Sequence, residues 1–268
     1  MFADEKKTIE RMGPRLQRLL IVDAQPSGPQ VITEAMRNLS RGQIWTAATQ
    51  ERGLKLCDTV DPQLVFVDLG SGKFDGVAFA RALRRGNSPA RKAPVIMVTG
   101  VATAGAILAA RDAGVHEFLR KPFALKDLLR RLEAVTLRDR DWIEGLGYVG
   151  PDRRRFNSGD YSGPLKRRDD TPATPDAERL AQAMKILRSA VTDFETDPVQ
   201  ARRAIDAQLA DIQAAATKAG DLRLVTGAAD LQRYLVQAAR QSQAVDGPQL
   251  RARAAALLAY APKDAVAA

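Results

Sequence analysis

The sequence contains very few of the residues that build disulfides and structural metal sites. Its 268 residues include one cysteine, Cys57, and one histidine, His116. A single cysteine excludes an internal disulfide and fits a reducing compartment. One cysteine with one histidine also argues against a structural zinc site, which is built from several such ligands.

Long apolar runs are also missing. No stretch approaches the roughly 20 apolar residues that cross a bilayer, and the first seven residues, Met-Phe-Ala-Asp-Glu-Lys-Lys, contain no apolar signal-peptide core. We therefore expect a cytoplasmic protein with no membrane span. The composition, 45% apolar and 27% charged, is that of a globular chain with room for one large or two ordinary domains.

The positive charge is not gathered at one place. The formal net charge is +9, and residues 1–137 hold 21 Lys and Arg against 14 Asp and Glu, which accounts for +7 of it. Charge spread in this way mostly tunes solubility and nonspecific contacts. The segment after Pro198 carries Gln200, Arg202 and Arg203, residue types that a DNA-reading helix uses. The charge distribution nevertheless does not favour DNA as the partner.

Strand and helix patterns alternate five times in the first half of the chain. Short apolar strands are expected near 17–23, 42–47, 63–68, 93–98 and 115–119, with helices near 28–39, 49–57, 75–86, 102–113 and 124–136. This alternation predicts an α/β domain over residues 17–136. Its fold would be a flavodoxin-like, doubly wound sheet of five parallel strands with helices on both faces.

The last part of the chain has a helical pattern instead. From Pro175 it is rich in alanine, and apolar residues recur at three- and four-residue steps. One helix is expected from Asp197-Pro198 to a C-cap at Gly220, and two more near 228–243 and 248–260. We predict an N-terminal arm (1–16), the α/β domain (17–136), a linker (137–174), an α-helical bundle domain (175–262) and a tail (263–268).

Four polar residues stand at the ends of four predicted strands. Asp23 and Asp68 follow or close the first and third strands, Thr99 closes the fourth, and Lys121 follows the fifth. The carboxyl ends of parallel strands meet at one edge of the sheet, so these side chains should converge. Carboxylates suit Mg²⁺, whereas a hydroxyl and an ammonium suit phosphoryl oxygens. The pattern indicates phosphoryl transfer to Asp68.

With these residues, the segment 17–136 resembles a response-regulator receiver domain, the chemotaxis-type module of two-component signalling. The resemblance also includes Asp75-Gly76 after Asp68, Gly100 after Thr99, and Pro122-Phe123 after Lys121. It implies that a sensor histidine kinase or phosphotransfer protein phosphorylates Asp68. Thr99 and Lys121 would then contact the phosphoryl group, and Phe118 would be an aromatic switch. The resemblance thus implies a signalling protein rather than an enzyme, acting on an output protein that the sequence does not identify.

The chain departs from the family pattern at the metal site. Receivers of this kind usually carry two adjacent acids after the first strand, and here Asp23 is followed by Ala24. The implied Mg²⁺ ligands are Asp23, Asp68 and the backbone of Gly70, so binding should be weak. Two interpretations stay open: a receiver that is phosphorylated weakly, and a pseudo-receiver that no longer responds to phosphate.

The predicted linker contains a short repeat. Residues 148–155 and 161–168 both read Tyr-x-Gly-Pro-x-basic-Arg-Arg, thirteen residues apart. The segment is either a solvated connection or a binding site for phosphates, which arginine forks match well. The arrangement resembles that of some bacterial receiver proteins whose arginine-rich C-terminal extensions bind cyclic di-GMP, so this nucleotide is a candidate ligand. The residues that would hold it are Arg153, Arg154, Arg167 and Arg168.

Overall fold

The computed structural model describes residues 3–70, 74–153 and 175–260. They form two compact units. The first contains the described residues of 3–143 and 148–153, and the second contains 144–147 and 175–260. Each unit has a hydrophobic core of its own.

The first unit is built on five parallel strands. They are β1 (Arg18–Val22), β2 (Gln43–Ala47), β3 (Leu64–Asp68), β4 (Val95–Thr99) and β5 (Glu117–Arg120). Their order across the sheet is β2-β1-β3-β4-β5, and every neighbouring pair is parallel. The order reverses between β1 and β3, which is where open α/β sheets form their sites. The predicted α/β fold is confirmed.

Six helices accompany the sheet: α1 (Ala3–Met12), α2 (Gly28–Arg37), α3 (Gln50–Val60), α4 (Gly76–Arg85), α5 (Ala104–Asp112) and α6 (Leu125–Thr136). Side chains that accept from backbone N–H groups define where several of them begin. Thr49 caps α3, Asp75 caps α4 and Thr103 caps α5. A cap at Asp75 fixes α4 directly after the loop that follows β3.

The strands bury both of their faces. Leu19 and Ile21 belong to one core cluster, and the alternating residues Leu20 and Val22 belong to the other. Successive side chains of a strand point to opposite faces, so this division follows from the two-residue period. A sheet that is covered on both sides explains why the strands read as continuous apolar runs.

The N-terminal segment, expected to be an arm, contains α1 and a short 3-10 turn at Gly13–Arg15. Met12 and Leu16 are fully buried in the cluster that also contains Leu132 of α6. Their burial attaches this segment to the α/β unit. Gly13 and Pro14 lie in this tight turn, which leads into β1.

Part of the predicted linker is also folded. Residues Trp142–Glu144 and Val149–Pro151 form strands β6 and β7 of a two-stranded sheet. Tyr148 is buried, and its hydroxyl donates to the carbonyl of Pro151 at 2.6 Å. Gly150 has a φ of +158° and lies so close to Gly114 that a Cβ there would meet its Cα at 2.6 Å. Glycine often indicates a flexible linker, but at position 150 it permits close packing of the backbone.

A buried arginine stabilises the neighbourhood of this sheet. Arg84 of α4 is 1% exposed, and its guanidinium donates to the carbonyls of Gly114, Arg91 and Ala93. It also lies over the Trp142 ring, 5.3 Å from the centroid. Burial lowers the pKa of Arg84 to about 9. The side chain therefore acts as a multiple hydrogen-bond donor inside the unit.

The second unit is mainly four helices: α7 (Pro175–Thr192), α8 (Pro198–Ala219), α9 (Leu222–Arg240) and α10 (Gly247–Leu258). Their apolar faces share one core. The predicted helical bundle is confirmed in type, but α9 begins at Leu222 rather than after Gly227. Asp221 caps it by accepting from the N–H groups of Arg223 and Leu224, and Gly227 lies inside the helix. Within the described ranges, none of the helices has the length and apolar character that crossing a membrane requires.

Candidate functional site

The four predicted site residues stand at the carboxyl edge of the five-stranded sheet. Asp68 and Thr99 are the last residues of β3 and β4, whereas Asp23 and Lys121 directly follow β1 and β5. The structure brings three of them into contact. Lys121 Nζ lies 3.0 Å from Asp68 Oδ1 and 3.2 Å from Asp23 Oδ2. The ammonium therefore bridges the two carboxylates.

The three contacting side chains differ in exposure. The side chain of Asp23 is 2% exposed and that of Asp68 is 12% exposed, whereas Lys121 is 29% exposed. Burial alone would lower the pKa of Lys121, but its hydrogen bond to Asp68 and the charges of both carboxylates outweigh it, and the pKa lies above its ordinary value. Lys121 is therefore a permanent cation at neutral pH and cannot serve as a base.

The remaining carboxylate oxygens are held by backbone N–H groups. Asp23 Oδ1 accepts from Gln25 N at 2.8 Å, and Asp68 Oδ2 accepts from Gly70 N at 2.9 Å. Gly70 has a φ of +129°, a conformation that side chains disfavour. Hydrogen bonds at both oxygens fix the orientation of each carboxylate. The acidic pair is thus rigid before any ligand arrives.

Gly28, at the start of α2, is a site residue that sequence reasoning missed. A Cβ at this position would lie 1.8 Å from Asp23 Oδ2. Only glycine therefore allows α2 to begin against the Asp23 carboxylate. Helix N-termini favour negative charge, so the start of α2 is a favourable neighbour for the Asp23 carboxylate. No signal in a single sequence indicates this close approach.

Thr99 and Phe118, the two other residues with predicted roles, have partners outside the acidic pair. Thr99 is 4% exposed, and its hydroxyl exchanges hydrogen bonds with Val101, accepting from N at 3.0 Å and donating to O at 3.3 Å. Phe118 is partly buried against the core cluster that contains Met97. Contact between Thr99 and a group on Asp68 would require its hydroxyl to leave the Val101 backbone.

The donor set fits a divalent cation, although with reduced charge. Asp23 and Asp68 supply carboxylate oxygens of the kind that Mg²⁺ prefers, and Ala24 contributes none. Nowhere in the described ranges do three or more His, Cys, Asp or Glu side chains gather into a metal-binding group. The Lys121 ammonium also cancels one of the two negative charges. A cation here would be held by fewer anionic ligands and would compete with Lys121.

Only the first part of the arginine repeat falls within the described residues. The guanidinium of Arg153 stacks on the Tyr148 ring, 3.8 Å from its centroid, and pairs with Asp112 at 2.6 Å. Burial raises the pKa of Tyr148 to about 12, despite the opposing charges of Arg153 and Arg84. The other three proposed ligands, Arg154, Arg167 and Arg168, lie outside the described residues.

In the segment after Pro198, which was considered for DNA binding, Gln200 and Arg202 bond to other groups of the second unit. Gln200 is 3% exposed, and its amide donates to Glu144 Oε1 at 2.8 Å. Arg202 pairs with Asp206 and donates to the carbonyl of Leu235. Side chains that are held in this way are not presented to the edges of DNA bases.

Comparison with known proteins gives the first unit a family. The family model described as the response regulator receiver domain matches residues 19–133. A probable chemotaxis protein CheY of Rhizobium etli is 30% identical over 118 residues, which are 44% of this chain and 91% of that protein. The chain belongs to the response regulator receiver family.

Other relatives share only the receiver. The KDP operon transcriptional regulatory protein KdpE of Escherichia coli is 32% identical over 126 residues, and the chain spans 52% of its length. Similar solved structures include CheY4 of Vibrio cholerae, with 22% identity, a TM-score of 0.41 and coverage of 45% of this chain and 98% of that one. A putative response regulator of Chloroflexus aurantiacus has 24% identity and a TM-score of 0.42, covering 45% and 97%.

The family carries general properties. Receiver domains are signalling modules of two-component systems, not classical enzymes, and they interact with histidine kinases or phosphotransfer proteins. They generally bind Mg²⁺ at an acidic pocket. In this receiver, Asp23 and Asp68 lie at the carboxyl edge of the sheet, and Lys121 contacts both carboxylates.

Proposed function

We propose that this protein is a response regulator whose Asp68 accepts a phosphoryl group and whose output is contact with another protein. The donor would be the phosphohistidine of a sensor histidine kinase or phosphotransfer protein. The observation that supports the proposal most directly is the Lys121 ammonium, 3.0 Å from Asp68 Oδ1. A fixed cation beside the acceptor is what phosphoryl transfer requires, since catalysis there is mostly positional and electrostatic.

In this mechanism a carboxylate oxygen of Asp68 attacks the phosphorus of the phosphohistidine. The new O–P bond forms as the N–P bond breaks, and the electron pair of that bond stays on the imidazole. Lys121 would transfer its contact from the carboxylates to a phosphoryl oxygen. The Thr99 hydroxyl would leave Val101 and donate to another, and Phe118 would follow this movement as the switch.

Mg²⁺ would be held by Asp23, Asp68 and the backbone carbonyl of Gly70, and it would neutralise charge on the transferring group. With Ala24 in place of a second acid, we expect this binding to be weak. More of the stabilisation of the transferring group would then come from the chain's own residues. Lys121 carries the positive charge, and the N–H groups of Gln25 and Gly70 hold the carboxylates in place.

Phosphate incorporation from a small-molecule acyl phosphate in the presence of Mg²⁺ tests this proposal. Wild type, Asp68→Asn and Ala24→Asp would be compared on a phosphate-affinity gel. We expect slow labelling of wild type, none of Asp68→Asn, and faster labelling of Ala24→Asp because an anionic ligand is added. Labelling of Ala24→Asp alone would indicate a pseudo-receiver instead.

Arg153 favours a second candidate function, a pseudo-receiver adaptor that binds a nucleotide such as cyclic di-GMP. Its guanidinium lies over the Tyr148 ring and pairs with Asp112, yet the side chain remains 37% exposed. A planar cation fixed in this way suits stacking on a base or pairing with a phosphate. Calorimetry with cyclic di-GMP, comparing wild type with Arg153→Ala, tests it. Absence of heat with wild type at high nucleotide concentration rejects this function.

A further inference from the structure

A cleft in the second unit has features that neither the receiver chemistry nor the arginine repeat uses. It has a volume of about 490 Å³ and lies between the first half of α9 and the last half of α10. Its lining comes from both helices and from the residues that follow α10. The cleft is therefore formed entirely inside one unit.

The floor of the cleft is apolar and closely packed. Leu231 and Leu257 line it and are fully buried. Gly227 lets the two helices approach, because a Cβ there would lie 3.1 Å from Leu257 Cδ1. Apolar side chains continue to the rim, where Leu222 is 77% exposed and Tyr260 is 47% exposed. Leu222 and Tyr260 thus extend the apolar surface out of the floor toward solvent.

The walls carry two arginines, one on each helix. Arg223 and Arg253 line the cleft. Across the described parts of the chain, neither guanidinium has an ion pair, and the recorded contact of Arg253 is stacking on the Tyr234 ring at 4.9 Å. Asp230, the acid in the cleft, pairs with Arg233 at 2.8 Å. The lining therefore has an excess of positive charge.

Two other arginines on the same helices have carboxylate partners. Arg233 of α9 pairs with Asp230, and Arg251 of α10 pairs with Glu195 at 3.5 Å. Arg240, at the end of α9 and outside the cleft lining, also has no carboxylate partner among the described residues. The cleft is distinguished by having two such arginines in one lining, one from each helix. A carboxylate supplied by another molecule would form an ion pair with either of these arginines. Charge-assisted hydrogen bonds to arginine are among the strong ones.

We propose that the α9–α10 cleft, with Arg223 and Arg253 on its walls, binds an acidic amphipathic helix of a partner protein. A groove between two helices accepts the apolar face of a third, with anchors at three- and four-residue steps. Acidic residues beside those anchors would pair with Arg223 and Arg253, and the apolar anchors would pack against the exposed side chains of Leu222 and Tyr260. This docking site does not depend on phosphorylation of Asp68.

A displayed library of short helical peptides tests the proposal on the full-length chain. Peptides would be selected on wild type and their affinities measured by fluorescence anisotropy against Arg223→Ala/Arg253→Ala. The matched control is Arg240→Ala/Arg251→Ala, which removes one arginine outside the cleft lining from each of the same helices. Circular dichroism would establish that both variants are folded.

We expect the selected peptides to combine Asp or Glu with apolar anchors and to bind more weakly at high salt. The cleft variant should lose about tenfold or more in affinity, which corresponds to about 1.4 kcal/mol or more, whereas the control should lose little. Peptides without acidic bias, no selection on wild type, or equal losses in both variants would overturn the proposal. Unchanged affinity of the same peptides for Asp68→Asn would keep this result separate from the receiver's chemistry.

Discussion

Replacement of Lys121 by methionine removes the cation that joins the two buried carboxylates. Asp23 and Asp68 would then face each other without a counter-ion, at side-chain exposures of 2% and 12%. Breaking a fully buried ion pair from one side costs about 3–5 kcal/mol. Lys121 is itself 29% exposed, so water would screen part of the repulsion. We expect a loss of about 2 kcal/mol of unfolding free energy at neutral pH.

The pH dependence of this loss identifies its cause. The pKa of Lys121 lies above its ordinary value of 10.5, so its stabilising contribution is present throughout the neutral range and is lost only as pH rises through the raised pKa. The stability difference between wild type and Lys121→Met should therefore shrink as pH rises through that raised pKa, because deprotonation removes the same charge from wild type. A difference that stays constant with pH would indicate lost packing instead.

Urea unfolding followed by tryptophan fluorescence provides the assay. Both tryptophans of the chain, Trp45 and Trp142, lie in the first unit, so the signal reports the receiver. Lys126→Met is the matched control, because Lys126 is exposed on the neighbouring helix α6. Equal stability of the Lys121 and Lys126 variants at neutral pH would refute the reasoning.

Three further predictions concern buried groups of the same unit. Burial, followed by the charges of Arg84 and Arg140, lowers the pKa of His116 well below 6.5. The unfolding free energy should therefore fall as pH drops below about 6.5, and urea titrations of His116→Asn should show a weaker dependence on pH. Arg84→Met leaves one buried and two partly buried carbonyls without their donor and should cost about 3 kcal/mol by the same assay. Burial raises the pKa of Cys57 to about 12, so a thiol reagent should label it only on unfolding; rapid labelling of the native protein would contradict its burial.

The sequence was most informative where the burial pattern is regular. The parallel strands are covered on both faces, so each reads as a short apolar run, and the polar residues at their ends can be located from order alone. Asp23, Asp68 and Lys121 were predicted to converge and they are in contact. The bridging position of the ammonium was not predictable, because it depends on side-chain conformations and on distances of a few ångströms.

Other features escaped sequence reasoning because the residues involved have ambiguous meanings. Glycine and proline usually interrupt structure, yet Gly150 and Pro151 lie in the folded β7 segment and Gly227 lies inside α9. Arginine is almost always exposed, so nothing marked Arg84 of α4 as a buried donor. Each of these residues takes its role from a neighbour that is distant in the chain, which a local pattern does not reveal.

The measurement that tests the central claim most directly is mass-spectrometric localisation of the phosphoryl group. The full chain would be incubated with a small acyl phosphate and Mg²⁺, digested, and mapped with and without hydroxylamine, which cleaves acyl phosphates. The account predicts a hydroxylamine-sensitive phosphoryl group on Asp68 of wild type and none in Asp68→Asn. Phosphate on another residue, or label that persists in Asp68→Asn, would contradict it.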